Sequence, residues 1–387
     1  MRILVAPDKF KGSLSAQDAA TAIAEGWRAG SPAGLHLEFS CRPVADGGEG
    51  TAKVICEALG GSWVASTVRD PLGRPVAAKY ALVSQGAFRT AVLDMSEASG
   101  LWRVAPDERR VERQSTCGTG EMLAHALRCS GADRVVIGLG GSATNDGGMG
   151  LAAALGFRFL DGSGLVLEPI PANLPRLERV IPPPDLSWIS GRVVAAVDVF
   201  NPLVGERGAT RVYGPQKGLV GETEIRTLEA GLSRLADVVA DWRKDDLRDR
   251  PGAGAAGGLG FGLMAFCGAE VHRGFDEVAE LLHLAEVVAG SDLIITGEGS
   301  LDAQTLEGKA PAGVAGLARR FGKPCIAFAG RIDPAARLLL LEHFDEIASL
   351  TGGTVSAAEA IRRAPELLRA RAAEFSARWR PSLSNAP

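Results

Sequence analysis

Asp8-Lys9-Phe10-Lys11-Gly12-Ser13 sets two lysines one residue apart just ahead of a helix start, and ammonium groups beside free helix amides hold phosphate or carboxylate. Lys9 and Lys11 are therefore candidate catalytic cations and Asp8 a candidate substrate contact; a solvated turn is the other reading. In Ala45-Asp46-Gly47-Gly48-Glu49-Gly50-Thr51, carboxylates stand among glycines, whose missing Cβ lets the backbone approach a ligand. Asp46 or Glu49 could hold a metal or a sugar-like hydroxyl there, and a glycine-bearing turn with an aspartate cap is the alternative.

The third cluster, GLGGSATNDGG (138–148), offers successive backbone N–H groups as an anion nest. Gly140, Gly141, Ser142, Thr144 and Asn145 are its candidate phosphate contacts. Gly138, Gly140 and Ala143 also fit the dinucleotide fingerprint G-x-G-x-x-[GA], with Asp161 about 20 residues on at the end of the next possible strand. In this reading Ser142, Thr144, Asn145 and Asp146 fill the first helical turn, where a dinucleotide site places small or apolar packing residues. Hydroxyls with a carboxylate suit phosphate and Mg²⁺ better, which makes Asp146 a candidate metal ligand. The dinucleotide site and a structural turn stay open.

Asp198 ends the apolar run VVAAVDV and is a candidate general base, since phosphoryl transfer needs a carboxylate to orient and deprotonate the attacking hydroxyl. An aspartate capping the next loop is the alternative. Beyond it, Lys217 in YGPQKG is a further anion contact. The fifth cluster runs Thr296-Gly297-Glu298-Gly299-Ser300-Leu301-Asp302, then Gln304-Thr305 and Gly308-Lys309. Its two carboxylates, threonine and lysine suit metal–phosphate work: Glu298 toward substrate, Asp302 toward a metal, Lys309 as a catalytic cation. G-x-x-x-x-G-K-[ST], the kinase H-R-D and D-F-G pair, G-x-S-x-G and H-E-x-x-H are all missing from the sequence, so any phosphate chemistry uses another scaffold.

These clusters follow short β-branched runs and precede alanine-rich segments, a βαβ texture that predicts parallel sheets. The expected strands are 3–7, 36–44, 134–140, 193–199, 292–299, 324–330 and 344–350, with Ser15 capping a helix that buries Ile23 and Trp27. Runs 62–70, 76–84 and 87–95 are joined only by PLGR and SQG, which predicts antiparallel hairpins. The fold expected is α/β: a flavodoxin-like parallel-sheet domain from 1–60 plus 287–387, with a mixed-sheet domain, 61–286, inserted in it and the active site in the cleft between them. Segment 240–258 combines charge and glycine and reads as a helix end followed by a mobile loop.

The net charge of −4 argues against nucleic-acid or anionic-membrane partners, which need a basic surface. The arginines of 356–380 (Arg362, Arg363, Arg369, Arg371, Arg378, Arg380) alternate with Glu359, Glu366 and Glu374, which favours a solvated helix face over an RNA-binding tail. The six cysteines are scattered without a C-x-x-C pair, fitting reduced thiols and a cytoplasmic location. No apolar run reaches membrane-spanning length.

Taken in order, APDKFKGSLSA (6–16), VADGGEGT (44–51), DPLGRPV (70–76), STCGTGE (115–121), GLGGSATNDGGMG (138–150), DVFNPLVGERGA (198–209), VYGPQKG (212–218), AAGGLGFGL (255–263) and ITGEGSLDAQTLEGKAP (295–311) resemble the glycerate kinases of the bacterial glycerate 2-kinase type across nearly the whole chain. The resemblance implies ATP-dependent phosphorylation of D-glycerate, typically at the 2-hydroxyl, with Mg²⁺. A monomer or a homodimer is expected, the sequence not fixing which. It also implies two α/β domains, one inserted in the other. Ser300 departs from the family pattern, which often has arginine in GEG-R. The expected mechanism gives the glycerate carboxylate to Lys9, Lys11 and Lys217, the attacking hydroxyl to Asp198, the nucleotide phosphates to the 138–148 loop, and Mg²⁺ to Asp46, Asp146 or Asp302. The rival readings are a nicotinamide-dependent hydroxy-acid dehydrogenase, built on 138–143 and Asp161, and a non-catalytic small-acid-binding protein.

Overall fold

Residues 1–352 and 355–379 are described in this computed structural model. In chain order the strands are β1 (Arg2–Val5), β2 (Glu38–Cys41), β3 (Ser62–Arg69), β4 (Pro75–Gln85), β5 (Phe88–Asp94), β6 (Arg134–Gly138), β7 (Arg158–Leu160), β8 (Arg179–Ile181), β9 (Val193–Val197), β10 (Glu270–Arg273), β11 (Leu293–Leu301), β12 (Cys325–Ile332) and β13 (Glu346–Ser349). They sort into two compact units: Met1–Asp46 with Val278–Pro387, and Gly47–Glu277. The second is thus an insertion in the sequence of the first. Its start precedes the expected residue 61 because the helix Thr51–Leu59 packs on β4 and β5 of the inserted unit.

In the first unit all strand pairs are parallel, in the order β13-β12-β11-β1-β2. Ile3, Leu4 and Val5 are all buried, as continuous apolar strands of a covered parallel sheet must be. The helix Ala16–Gly30 starts where Ser15 accepts a hydrogen bond from the Asp18 N–H, and Ile23 and Trp27 face the core. That helix lies against the helix Ala364–Arg378 so closely that a Cβ at Gly26 would collide with the Arg369 carbonyl.

The inserted unit carries a six-stranded sheet, β10-β9-β6-β5-β4-β3. The pairs β3–β4 and β4–β5 are antiparallel, and β5, β6, β9 and β10 run parallel. A small hairpin, β7 with β8, is added to the sheet's neighbourhood in sequence. The hairpins expected at 62–95 are present, and the carboxyl ends of β5, β6 and β9 open onto the polar loops.

Segment 240–258 differs from expectation. The helix Glu222–Arg243 does end there, but Gly252–Gly262 is buried rather than a mobile loop, because its glycines serve close packing. Four arginines of this stretch pair with glutamates (Arg363 with Glu359 and Glu366, Arg369 with Glu25, Arg371 with Glu374, Arg378 with Glu346); Arg380 lies outside the described residues. All six cysteines are free thiols, Cys129 exposed and Cys41 half-buried, the other four buried. No described helix is long and apolar enough to cross a membrane.

The Gly26 contact gives a test. Glycine to alanine inside an ordinary exposed helix gains about 1 kcal/mol. Gly26→Ala is expected to lose about 1–3 kcal/mol by overpacking, read as a lower urea midpoint at unchanged slope.

Candidate active site

Counting the strands of the first unit alone, its sheet order is 2-1-3-4-5, and the winding reverses between β1 and β11. Ligands of such sheets bind outside the carboxyl ends of the strands at that reversal. Asp8 follows β1 and Glu298 lies in β11, and the Asp8 N–H donates to the Gly297 carbonyl at 2.8 Å. The Thr296 hydroxyl ties the same two strands by donating to the Ala6 carbonyl at 2.7 Å. Asp46 follows β2, on the other side of β1.

These carboxyls crowd one another. Burial pushes Asp8, only 6% exposed, up to about 7, and the Asp46 and Glu298 charges add to the shift. The Lys9 charge and the Lys9 backbone N–H, 2.6 Å from Asp8 Oδ1, oppose it. Burial likewise raises Glu298 to about 7, helped by Asp302 and Asp46 and opposed by the Thr305 hydroxyl and Lys309. That hydroxyl donates to Glu298 Oε1 at 2.7 Å. Asp302 caps the 3₁₀ turn Ala303–Glu307 through Oδ1, accepting from the N–H groups of Gln304 and Thr305. Lys309 stands at the N-cap of the helix Ala310–Arg320, half-buried, and Lys11 is exposed. The first unit therefore brings together Asp8, Lys9, Asp46, Glu298, Asp302 and Lys309. Thr305, not singled out as a ligand contact, locks two of them. Ser300, where the resemblance leads one to expect arginine, accepts a hydrogen bond from Arg331 Nε at 3.0 Å.

In the inserted unit, loop 138–148 leaves β6 and Asp198 leaves β9, its neighbour in the sheet. Gly140 and Gly141 are accessible, and Gly48 and Glu49 pack directly against them, so the VADGGEG glycines and the loop form one wall. Asp94, at the end of β5, accepts from the N–H groups of Gly50 and Ala52 at 2.9 and 3.2 Å and fixes that wall; the sequence reading overlooked it. Asp198 is exposed, and its charge, after burial, helps raise the nearby Tyr213 phenol to about 12.

Two expectations for this unit change. Asp146 is fully buried, and its carboxylate accepts from the Thr116 N–H and hydroxyl and from the N–H groups of Gly148 and Gly150, all at 2.8–3.1 Å. Burial raises its pKa against those four bonds. With its lone pairs taken up internally it is an anchor of the loop, not a metal ligand. Lys217 is 1% exposed, and its ammonium donates to the Thr144 carbonyl at 2.7 Å. Burial lowers Lys217 to about 7, with Asp146 opposing. It supports the loop from inside instead of reaching a substrate.

The loop also differs in local structure. The helix after it is Met149–Ala154, so Ser142, Thr144, Asn145 and Asp146 precede the helix rather than filling its first turn. Positive φ at Gly147 and Gly148 makes the delayed start possible. Thr144 and Asn145 are buried, and Thr144 Oγ1 and Asn145 Oδ1 lack a hydrogen-bond partner among the described residues. Behind them packs the glycine segment 255–262: a Cβ at Gly257 would overlap the Thr144 carbonyl. The dinucleotide reading fails at Asp161. The Ser163 hydroxyl, the Ser163 and Leu165 amides and Arg176 take up its carboxylate and hold it down at about 2, leaving it in a turn rather than on a ribose.

Comparison with known proteins bears on the same residues. Residues 3–380 match the model of the glycerate kinase family. The chain is 40% identical over 382 residues to the glycerate kinase of Bacillus subtilis (strain 168), covering 97% of each. It is 40% identical over 369 residues to the glycerate 2-kinase of Escherichia coli (strain K12), covering 94% of each. A crystal structure from Salmonella typhimurium LT2, assigned as glycerate kinase 2, superposes with a TM-score of 0.84 over 97% of both chains. A two-unit α/β chain with a glycine-rich loop after β6 and crowded carboxyls at the sheet reversal, matched to these relatives over nearly its whole length, belongs to the glycerate kinase family.

Proposed function

We propose that this chain transfers the γ-phosphoryl group of ATP to D-glycerate, at the 2-hydroxyl. Membership of the family makes it a kinase acting on a hydroxyl acceptor. The acceptor oxygen forms a bond to γ-phosphorus, the bond to the β,γ-bridging oxygen breaks, ADP leaves, and the hydroxyl proton passes to a carboxylate. Asp198 is that carboxylate: it is exposed at a strand's carboxyl end, where a substrate can reach it.

The observation that carries the substrate half is the crowded Asp8–Asp46–Glu298 group. Carboxyls held near neutrality can donate a hydrogen bond to a polyol as well as accept one, and they repel an anionic substrate less than ionised ones would. Lys9, Lys11 and Lys309 supply the opposite charge for glycerate and for the transferring phosphoryl. The accessible amides of Gly140 and Gly141, with Ser142 beside them, hold the nucleotide phosphates; Thr144 and Asn145, being buried, shape the loop from beneath.

Mg²⁺ fits this donor set in one way. Among the described residues no three His, Cys, Asp or Glu side chains converge to hold a metal alone. Mg²⁺ commonly takes one or two carboxylates plus substrate phosphates and water, so a site of that kind asks little of the protein. With Asp146 consumed internally, Asp302 is the residue that would hold it, and bound there Mg²⁺ would neutralise phosphate charge. We place the enzyme in the cytoplasm, where ATP is supplied, as a monomer or homodimer without nucleic-acid or membrane partners.

Three outcomes test these assignments. Asp198→Asn should lower kcat by about 10²–10³ while the Mg·ATP-induced melting shift persists; near-normal turnover removes Asp198 as the base. Lys217→Met should raise KM for ATP more than KM for glycerate, since it frees the Thr144 carbonyl beneath the loop, and Lys217→Arg should not restore it because the bulkier guanidinium must enter a buried position only 1% exposed. Equal effects on both KM values would show that Lys217 does not act through the loop. For Asp8 the sign follows from linkage. A carboxyl at 3.8 unfolded and about 7 folded binds more protons in the native state, so its contribution is full below pH 3.8 and is lost as pH rises through 7. Asp8→Asn should therefore melt above the wild type at pH 8, an advantage that shrinks toward pH 4, and should lose activity. A variant that melts lower at pH 8 would show that Asp8 is a supporting group.

A further inference from the structure

Arg331 has no part in the reading so far, yet the strand register places it at the carboxyl edge of the first unit's sheet. β11 and β12 run parallel with Ser300 opposite Arg331 and Glu298 opposite Ala329. Ser300 is therefore two residues from Glu298 on one strand, and side chains two apart share a face. Arg331 bonds the Ser300 hydroxyl through Nε at 3.0 Å, and the guanidinium is exposed. Among the described residues no carboxylate pairs with it.

That arrangement is unusual for an arginine in this fold. Most of its exposed arginines that make side-chain bonds are spent on glutamate or aspartate, as Arg363, Arg369 and Arg378 are. Arg331 is instead anchored by a neutral hydroxyl at one nitrogen. Its charge is uncompensated and both Nη groups remain, the two-pronged donor set that grips a carboxylate or phosphate. The anchor also removes part of the rotamer freedom that an exposed arginine would lose on binding.

We infer that Arg331 is an oxyanion-binding residue of the active site, aimed by Ser300, and that it grips either the glycerate carboxylate or a nucleotide phosphate. The inference rests on the kinase reading for the identity of the anion, and its geometry stands without it. Arg331 makes contact with substrate, whereas Ser300 positions it.

The test compares the intact chain with Arg331→Met, Arg331→Lys and Ser300→Ala. Calorimetric titration with Mg·ATP and, separately, with D-glycerate reads binding directly, and coupled ADP release reads KM and kcat. Arg331→Met should weaken one ligand about 10- to 100-fold, the loss of a charge-assisted hydrogen-bonded pair, with melting temperature unchanged. The ligand affected, glycerate or ATP, identifies the anion. Arg331→Lys should recover part of the loss, and Ser300→Ala should show a smaller loss for the same ligand only. Unchanged affinity for both ligands in Arg331→Met overturns the inference. If the wild type binds Mg·ATP but releases no ADP with glycerate, the kinase reading fails instead, and a weakened ATP affinity in Arg331→Met still sustains the anion site.

Discussion

Burial of ionisable groups without a full complement of opposite charge is the constraint around which both units are built. A carboxylate moved out of water loses solvation worth several kcal/mol, and the fold must return it through hydrogen bonds or accept a proton. The inserted unit returns part of it: Asp146 collects four donors from Thr116, Gly148 and Gly150 and becomes the internal anchor of a loop, though burial still raises its pKa. The first unit returns less. Asp8 accepts the Lys9 amide, faces Asp46 and Glu298, and holds its proton near neutrality. Electrostatic cost left in place at a strand end is a mark of a functional site, whereas a structural carboxylate such as Asp161 is relieved by its partners and held low.

The same contrast explains what could be read in the sequence. Local signals were legible wherever they act locally. Ser15 with Asp18 announces a helix start, PLGR and SQG announce hairpins, and alternating βα texture announces the parallel order. The polar clusters were legible as clusters, since strand ends are where such sheets bind ligands. What one-dimensional reading could not supply was direction. Asp146 and Lys217 look like ligand-facing groups by type and spacing, and the chain turns both inward. Only the contacts of Thr116, 30 residues upstream in sequence, and Thr144, 73 residues upstream of Lys217, decide that.

Glycine is the other place where composition misleads. Segment 252–262 has the glycine content of a flexible linker, yet all of it is buried, with Gly257, Gly258 and Gly262 against the loop that follows β6. Glycine permits two opposite outcomes, free backbone or very close backbone, and the choice depends on what lies across from it. Gly257 faces the Thr144 carbonyl, and Gly262 faces Gly148, so glycine meets backbone where any side chain would push the loop out of shape. The loop is closely packed from behind by the residue most often taken as a sign of motion.

A cation spent inside the fold is unavailable outside it, and this sorts the basic residues by role. Lys217, its ammonium given to the Thr144 carbonyl and facing Asp146, has neither exposure nor spare charge for a substrate. Basic groups that the first unit sets at its strand ends, where acidic groups already crowd, include Lys11, Lys309 and Arg331. A site that must admit two anions cannot hold a surplus of ionised carboxylates, and it cannot neutralise them all with lysine without losing the attraction for substrate. In the proposed reaction, raising Asp8 and Glu298 toward neutrality would resolve that conflict: the acids keep their hydrogen-bonding geometry, shed part of their charge, and leave the cations to the ligands.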